Sequence, residues 1–446
     1  MKYRINPGAL QTAAVRVPGD KSISHRAIML GSIADGVTDV RGFLEGEDAL
    51  STMNAFRALG VRIEGPVAGR VRVQGVGLHG LRLPPGANAT DVLTLDCGNS
   101  GTSMRLMAGL LAGQGRPIRL TGDASLARRP MKRIIEPLGS MGAQIDAVGD
   151  GLPPLVVRPV ERLQAIDYRL PMASAQVKSS ILLAGLYADG LTSVTEPAVT
   201  RDHTERMLRG FGVAVDTQGA RVQLRGGQRL KACAIDVPAD ISSAAFLLVA
   251  GAIAAQAELT LEHVGVNPTR TGILDILGLM GARIELRNQR EVGGEPVADL
   301  VVRASELHGI DIPEHLVPLA IDEFPVIFVA AANAHGTTVL RGAAELRVKE
   351  SDRIAVMADG LQACGIDATP TPDGMVIVGA GERNGARYRG AQVQSHGDHR
   401  IAMAFTVAAL RASSSMEVLD CKNVATSFPG FVDLMRTVGF DLEVSV

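Results

Sequence analysis

Six short segments concentrate the residues that could do chemistry. They read Gly19-Asp20-Lys21-Ser22-Ile23-Ser24-His25-Arg26, Gly98-Asn99-Ser100-Gly101-Thr102-Ser103-Met104-Arg105, Met172-Ala173-Ser174-Ala175-Gln176-Val177-Lys178, Ala239-Asp240-Ile241-Ser242-Ser243, Ile321-Asp322-Glu323-Phe324-Pro325 and Ser395-His396-Gly397-Asp398-His399-Arg400. Each precedes an apolar stretch of helical length. Ser, Asn, Asp and Gly are favoured helix N-caps, so capping alone accounts for much of their polarity. It does not account for the cations. Lys21 falls in a first helical turn, where positive charge opposes the helix dipole. Arg26, Arg105 and Arg400 follow closely on their own starts. Free N–H groups and the dipole make a helix start an anion site. Several such starts brought together would hold a small polyanion.

Further charged residues fit that chemistry. Arg129 lies in Leu126-Ala127-Arg128-Arg129-Pro130-Met131, and Arg201 in Thr200-Arg201-Asp202-His203-Thr204. Lys349 and Arg353 lie in Arg347-Val348-Lys349-Glu350-Ser351-Asp352-Arg353. Spaced i and i+4 on a helix, Lys349 and Arg353 would share a face and repel, with Glu350 and Asp352 as neutralising neighbours on a solvated surface. Asp322 stands before the apolar run 324–332. It reads either as a plain N-cap or as an acid–base group pulled in opposite directions by desolvation and nearby cations.

The elements that position these residues repeat. An apolar residue, a Gly and a short β-rich run recur at Leu59-Gly60-Val61, Met141-Gly142-Ala143, Phe211-Gly212-Val213, Met280-Gly281-Ala282, Cys364-Gly365-Ile366 and Val438-Gly439-Phe440. The glycines are separated by 82, 70, 69, 84 and 74 residues. An amphipathic stretch precedes each, which predicts a helix stopped by a C-terminal Gly and followed by a strand. Before each comes a stretch apolar nearly all round, predicting a buried helix: 27–33, 104–111, 180–186, 244–254, 326–332 and 401–410. Six units divide into two groups of three. Val17-Pro18-Gly19-Asp20-Lys21-Ser22 resembles Val237-Pro238-Ala239-Asp240-Ile241-Ser242, so each segment opens one half. Domain crossings are expected near residues 18–20 and 236–240.

Bulk properties exclude several classes. Aromatic residues make up 3% and Trp is absent, which leaves little to stack nucleic-acid bases. A net charge of -2 gives no basic field for DNA or acidic lipid. No apolar run reaches membrane-spanning length, and the first residues, Met1-Lys2-Tyr3-Arg4-Ile5-Asn6-Pro7, lack a signal-peptide apolar stretch. The expected compartment is the cytoplasm. Cys97, Cys233, Cys364 and Cys421 form no CxxC pair and read as reduced, mostly buried thiols. Gly75-Val76-Gly77-Leu78-His79-Gly80 matches GxGxxG, but Leu81-Arg82-Leu83-Pro84-Pro85-Gly86 follows where a dinucleotide fingerprint needs a helix. Gly19-Asp20-Lys21-Ser22 lacks the upstream Gly and the Gly-Lys pair of a P-loop. His396, Asp398 and His399 sit too close along the chain to converge on one ion, so no metal is expected.

Taken together, these segments resemble those of the EPSP synthases, the 3-phosphoshikimate 1-carboxyvinyltransferase family of enolpyruvyl transferases. The resemblance runs from Pro18-Gly19-Asp20-Lys21-Ser22 to Thr426-Ser427-Phe428-Pro429 and is most specific at 95–105, 347–353 and Asp398-His399-Arg400-Ile401-Ala402-Met403. It implies an α/β fold of two domains, each of three βαβαββ repeats around buried helices. The N-terminal domain would span 20–238 and mainly bind shikimate 3-phosphate. The C-terminal domain would span 1–19 plus 239–446 and carry acid–base and phosphoenolpyruvate-binding residues. The implied reaction transfers the enolpyruvyl group of phosphoenolpyruvate to the 5-hydroxyl of shikimate 3-phosphate by addition–elimination, with domain closure, releasing 5-enolpyruvylshikimate 3-phosphate and phosphate. No cofactor, nucleic acid or membrane takes part, and a monomer is expected.

The same resemblance assigns Lys21, Ser22, Arg26, Ser174, Ala175, Gln176, Arg201, Asp322 and Lys349 to shikimate 3-phosphate. It assigns Lys21, Gly101, Arg129, Gln176, Arg353 and Arg400 to phosphoenolpyruvate. Asp322, Glu350 and Lys21 would be catalytic: Asp322 takes the proton of the attacking hydroxyl, while Glu350 and Lys21 serve the methylene proton and the leaving phosphate. The chain departs from some members at Ser427 (Lys there), Glu345 (Asn) and Leu106 (Pro), features of a branch that includes glyphosate-tolerant enzymes. Gly101 matches the glyphosate-sensitive pattern. Three other readings compete. A UDP-N-acetylglucosamine enolpyruvyl transferase needs a Cys shortly before the Arg-Pro pair, where this chain has Asp123-Ala124-Ser125. A non-catalytic anion-binding module would tolerate neutralised Asp322 and Glu350. An RNA-end-processing enzyme would need aromatics and a basic patch.

Overall fold

The computed structural model describes residues 1–82, 91–380 and 388–445. Residues 83–86, part of the argument against a dinucleotide fingerprint, lie outside them. Residues 77–80 form a turn after the strand Arg70–Val76, with no helix. The chain divides into two compact units: Gly19–Val237, and Met1–Pro18 with Pro238–Val446.

Twelve α-helices among the described residues fall into six buried-then-outer pairs. In the Gly19–Val237 unit they are α1 Lys21–Ile33 with α2 Glu47–Ala58, α3 Gly101–Leu111 with α4 Lys132–Ser140, and α5 Ala175–Gly185 with α6 His203–Gly210. In the other unit they are α7 Ile241–Ile253 with α8 Gly272–Leu279, α9 Phe324–Ala332 with α10 Arg353–Ala363, and α11 His399–Ala408 with α12 Phe431–Thr437. All 13 residues of α7 and all nine of α9 are buried. Each Leu, Ile or Val side chain removed from water in this way contributes roughly 1.5–3 kcal/mol. The buried helices start earlier than the apolar periodicity places them, because the polar residues ahead of it belong to their first turns.

The outer helices stop by one device. Gly60, Gly142, Gly212, Gly281, Gly365 and Gly439 follow their last turns with φ between 82° and 106°. That left-handed geometry suits Gly, which carries no Cβ to clash. At the first of them, Gly60 N donates to Arg57 O at 3.0 Å and Val61 N to Phe56 O at 3.1 Å, which satisfies carbonyls the helix leaves over.

Among the described residues, five four-stranded sheets share one pattern: a parallel edge pair, then two antiparallel neighbours. Ala234–Asp236 runs parallel to Asp35–Arg41, which pairs antiparallel with Arg70–Val76 and that with Arg62–Val67. Along Arg70–Val76, Val71 and Val73 are buried while Arg70, Arg72 and Gln74 are exposed, the two-residue period of a sheet with one covered face. The N-terminal strand Lys2–Asn6 lies between Met416–Leu419 and Asp441–Ser445, which ties the first residues to the Pro238–Val446 segment. Each unit has its own apolar core. In one, α3 packs on α1 and α5; in the other, α7, α9 and α11 pack pairwise. Among the described residues, no helix is long and apolar enough to cross a membrane.

Candidate active site

In the Gly19–Val237 unit the starts of three buried helices are stitched together by side chains. Asp20 caps α1, accepting from Ile23 N at 2.8 Å. Lys21 is the first helical residue, and its Nζ lies 3.1 Å from Asp48 Oδ2. Arg26 donates to Thr204 Oγ1 at 2.7 Å, Ser179 Oγ at 2.9 Å and the carbonyl of Ser22 at 3.0 Å. Ser100 caps α3 and Ser174 caps α5. Between these two starts, Arg105 donates to Gln176 Oε1 at 2.6 Å, and Gln176 Nε2 to Thr102 Oγ1 at 3.0 Å. Arg129 donates to Asn99 Oδ1 at 2.7 Å. A methyl added to Gly101 would sit 2.9 Å from Arg105 and 3.4 Å from Arg129, so both guanidinium groups flank that glycine. Arg201 is half-buried immediately before Asp202, the N-cap residue of α6. Beneath the starts, His25 is fully buried against Thr52, with Nδ1 2.8 Å from Oγ1. Burial drives its pKa well below the ordinary value, and Lys21 and Arg26 add to that.

The second unit gathers carboxylates as well as cations. Asp322 Oδ1 lies 3.5 Å from Lys349 Nζ and 3.4 Å from Arg353. Arg353, the first residue of α10, is 1% exposed. Its Nε donates to Asp398 Oδ2 at 2.9 Å and one terminal nitrogen to Glu350 Oε2 at 2.5 Å. Burial disfavours the guanidinium charge, but Asp398, Glu350 and Asp322 outweigh it, so Arg353 binds its proton more tightly than usual. Burial would raise the Asp398 pKa; the Arg353 charge wins and holds it below the ordinary value. Asp398 also caps α11, accepting from Arg400 N at 2.9 Å. Arg400 donates to the Asp322 carbonyl at 2.9 Å and lies 3.6 Å from Glu323. The starts of α9, α10 and α11 therefore meet at Asp322.

Two sequence expectations are corrected here. Lys349 and Arg353 do not share a helical face. Lys349 is extended at the end of the 3-10 turn Ala344–Val348, Asp352 caps α10, and both cations point to Asp322 instead of repelling. Asp322 is also no plain N-cap: that position is Glu323, which accepts from the Ser242 hydroxyl.

In the first unit, hydrogen bonds join the neighbourhoods of Lys21, Ser22, Arg26, Gly101, Arg129, Ser174, Ala175 and Gln176. In the second, Asp322, Lys349, Glu350, Arg353 and Arg400 form one cluster. The sequence reading named Arg105 among the cations behind helix starts but assigned it to neither reactant, and named Asp398 in a capping segment and as a rejected metal ligand but not as a partner of Arg353. Lys178 stood in a quoted segment without a role of its own; a lysine just ahead of the apolar run 180–186 was the available signal. Cys97 is 1% exposed. Burial, then Asp96 and Asp48, push its thiol up to about 12, which is poor chemistry for a nucleophile. A cavity of about 590 Å³ in the second unit, lined by Ile253, Ala254, Arg283, Arg303, Asn333 and Arg411, lies at the C-terminal ends of α7 and α9 and not at the charged starts.

Comparison with known proteins gives matches over the whole chain. Residues 5–435 match the family model for EPSP synthase (3-phosphoshikimate 1-carboxyvinyltransferase). The chain is 62% identical over 443 residues to the 3-phosphoshikimate 1-carboxyvinyltransferase of Methylococcus capsulatus, covering 99% of this chain and 98% of that one. It is 63% identical over 442 residues to that of Alkalilimnicola ehrlichii, covering 99% and 96%. A solved structure of EPSP synthase from Acinetobacter baumannii superposes with a TM-score of 0.89 at 55% identity, each chain covered in full. With its sequence matched from end to end and its fold shared, the chain belongs to the EPSP synthase family.

Proposed function

We propose that the chain performs its family's step of the shikimate pathway with the labour divided between its units. The Gly19–Val237 unit mainly holds shikimate 3-phosphate through Lys21, Ser22, Arg26, Ser174, Ala175, Gln176 and Arg201. Gly101 and Arg129, with Lys21 and Gln176, meet phosphoenolpyruvate. The other unit supplies Asp322, Lys349, Glu350, Arg353 and Arg400. Each unit is read as three βαβαββ repeats, and the enzyme as a cytoplasmic monomer.

The chemistry follows from the charges. Asp322 takes the proton of the 5-hydroxyl as its oxygen bonds to C2 of phosphoenolpyruvate, and C3 gains a proton from Lys21 or Glu350. Loss of a proton from C3 then re-forms the double bond as the C2–O bond to phosphate breaks. Fixed cations and helix starts offset the repulsion between two phosphorylated reactants. The phosphate is a ready leaving group, so no side chain need act as a nucleophile.

The observation that carries this reading is Arg353, buried and bonded to both Glu350 and Asp322. It holds two carboxylates in one cluster. The test is phosphate release from the purified chain given phosphoenolpyruvate and shikimate 3-phosphate. Turnover with UDP-N-acetylglucosamine instead would overturn the substrate assignment. Gly101 matches the glyphosate-sensitive pattern, and a methyl there would crowd Arg105 and Arg129. Glyphosate should therefore inhibit; indifference at millimolar levels would count against that.

A further inference from the structure

We infer that Lys178, with Glu196 and Glu205, is a positioning group that sets Arg201 in place for shikimate 3-phosphate; this rests on the assignment of Arg201 above. Lys178 lies on α5, one turn beyond the Ser174 cap. Its Nζ is 2.7 Å from Glu196 Oε2 and 2.8 Å from Glu205 Oε1, and all three side chains are 1% exposed. Burial pulls the lysine toward neutrality, but Glu205 and Glu196 together outweigh it and keep it charged.

Stability alone is a weak reason for such a group. Desolvating three charges commonly offsets their attraction, and apolar replacements of buried ion triads are often neutral or stabilising. What the triad does fix is geometry. Glu196 follows the strand Leu191–Thr195 and accepts from Thr200 N at 3.3 Å and from the Thr200 hydroxyl. Lys178 Nζ donates to Thr200 O at 3.3 Å. The amide, carbonyl and hydroxyl of Thr200 are thus all bound to the triad, and Thr200 is the residue before Arg201. On the other side of Arg201, Glu205 sits in the first turn of α6. A second buried contact, Ser179 Oγ to Thr204 Oγ1 at 2.7 Å, joins the same two helices. One ammonium therefore anchors both flanks of Arg201 to the helix whose start presents Ser174, Ala175 and Gln176. A guanidinium on a loop needs such a frame, because small displacements of a binding group cost large factors in affinity.

The triple variant Lys178→Met, Glu196→Gln, Glu205→Gln removes the charges while keeping side-chain volume. Thr200→Val removes one link and leaves the triad charged, in case the triple variant does not fold. For the folded triple variant, KM and directly titrated Kd for shikimate 3-phosphate should rise about ten- to a hundredfold, with kcat and the phosphoenolpyruvate KM within about threefold of wild type. Thr200→Val should give a smaller rise in the same two quantities. Binding of shikimate 3-phosphate within twofold of wild type in a folded variant overturns the inference. So does an equal rise in both KM values with a fall in kcat, which would mean general loosening. Arg201→Ala separates the layers. If it binds shikimate 3-phosphate like wild type, the Arg201 assignment falls and takes the inference with it. If it loses binding while the triad variant keeps it, only the inference falls.

Discussion

Residues 20–26 and 240–246 open matching helices in the two units and do different work. Asp20 and Asp240 cap alike, each accepting a backbone N–H at 2.8 Å. The next residue is Lys21 in one and Ile241, 2% exposed, in the other. Where α1 has Arg26, α7 has buried Phe246. The difference extends across each cluster. In the first unit, Arg26, Arg105 and Arg129 donate to hydroxyl and amide oxygens of Thr204, Ser179, Gln176 and Asn99. In the second, Arg353, Arg400 and Arg270 face the carboxylates of Asp398, Glu350, Glu323 and Asp240. One helix frame thus serves two chemistries. Hydroxyl and amide oxygens orient the guanidinium groups of the first cluster, and Lys21 faces Asp48 there. Cations matched with carboxylates hold those carboxylates in fixed positions, as a positioned acid or base requires.

Substitutions in the two clusters should therefore fail in different ways. Asp322→Ala should lower kcat by about a hundredfold or more, the usual scale for losing a positioned base, with shikimate 3-phosphate binding changed only several-fold. Unchanged turnover would remove Asp322 from the mechanism. Ile241→Lys makes the second unit resemble the first at its most telling position. It places an unmatched cation in the core, and the unfolding free energy in urea should drop by about 3–5 kcal/mol. The converse change, Lys21→Ile, should raise both KM values about ten- to a hundredfold, lower kcat as one of the two proposed donors to C3 is lost, and lower the melting temperature because buried Asp48 loses its cation. A lower melting temperature with normal KM values would reverse the roles given to these two positions.

How far these features were legible depended on how local they are. A helix-stopping Gly acts through its own φ, so the six glycines could be read directly and mark all six outer helices. Buried helices were readable from their all-round apolarity, but that signal starts each of them two to six residues late, since it does not reach the first turns, although the cap before Lys21 placed that residue in one. The cap of α9 was ambiguous: Asp322 and Glu323 are neighbours, and only the bonds from Ser242 and Arg400 decide between them. Lys178 with Glu196 and Glu205 was illegible because its partners lie 18 and 27 residues away, with no periodicity linking them. The residue types of the site came through the family resemblance, while the placement of Arg353 among three carboxylates depends on packing.

Acid should weaken the two units at different pH, and this is the finest test of the contrast. His25 is held neutral, its folded pKa well below the 6.5 it has in an open chain. Below that pH the unfolded chain takes up a proton that the folded one refuses. Stability is therefore full above about pH 6.5 and declines as pH falls through it, by up to about 1.4 kcal/mol per pH unit for one proton. Asp398 is also depressed, but from 3.8, so its contribution persists above that value and is lost only as pH falls beneath it toward the folded pKa. Between about pH 4 and 6.5 the first cluster should weaken while the second holds. Amide exchange at pH 7, 5.5 and 4.5, corrected for intrinsic rates, should show α1 and α3 losing protection before α10 and α11. His25→Asn should flatten that loss, since Asn can still bond Thr52 but does not titrate. If α11 opens first, or the variant leaves the slope unchanged, the buried imidazole is not what separates the two units.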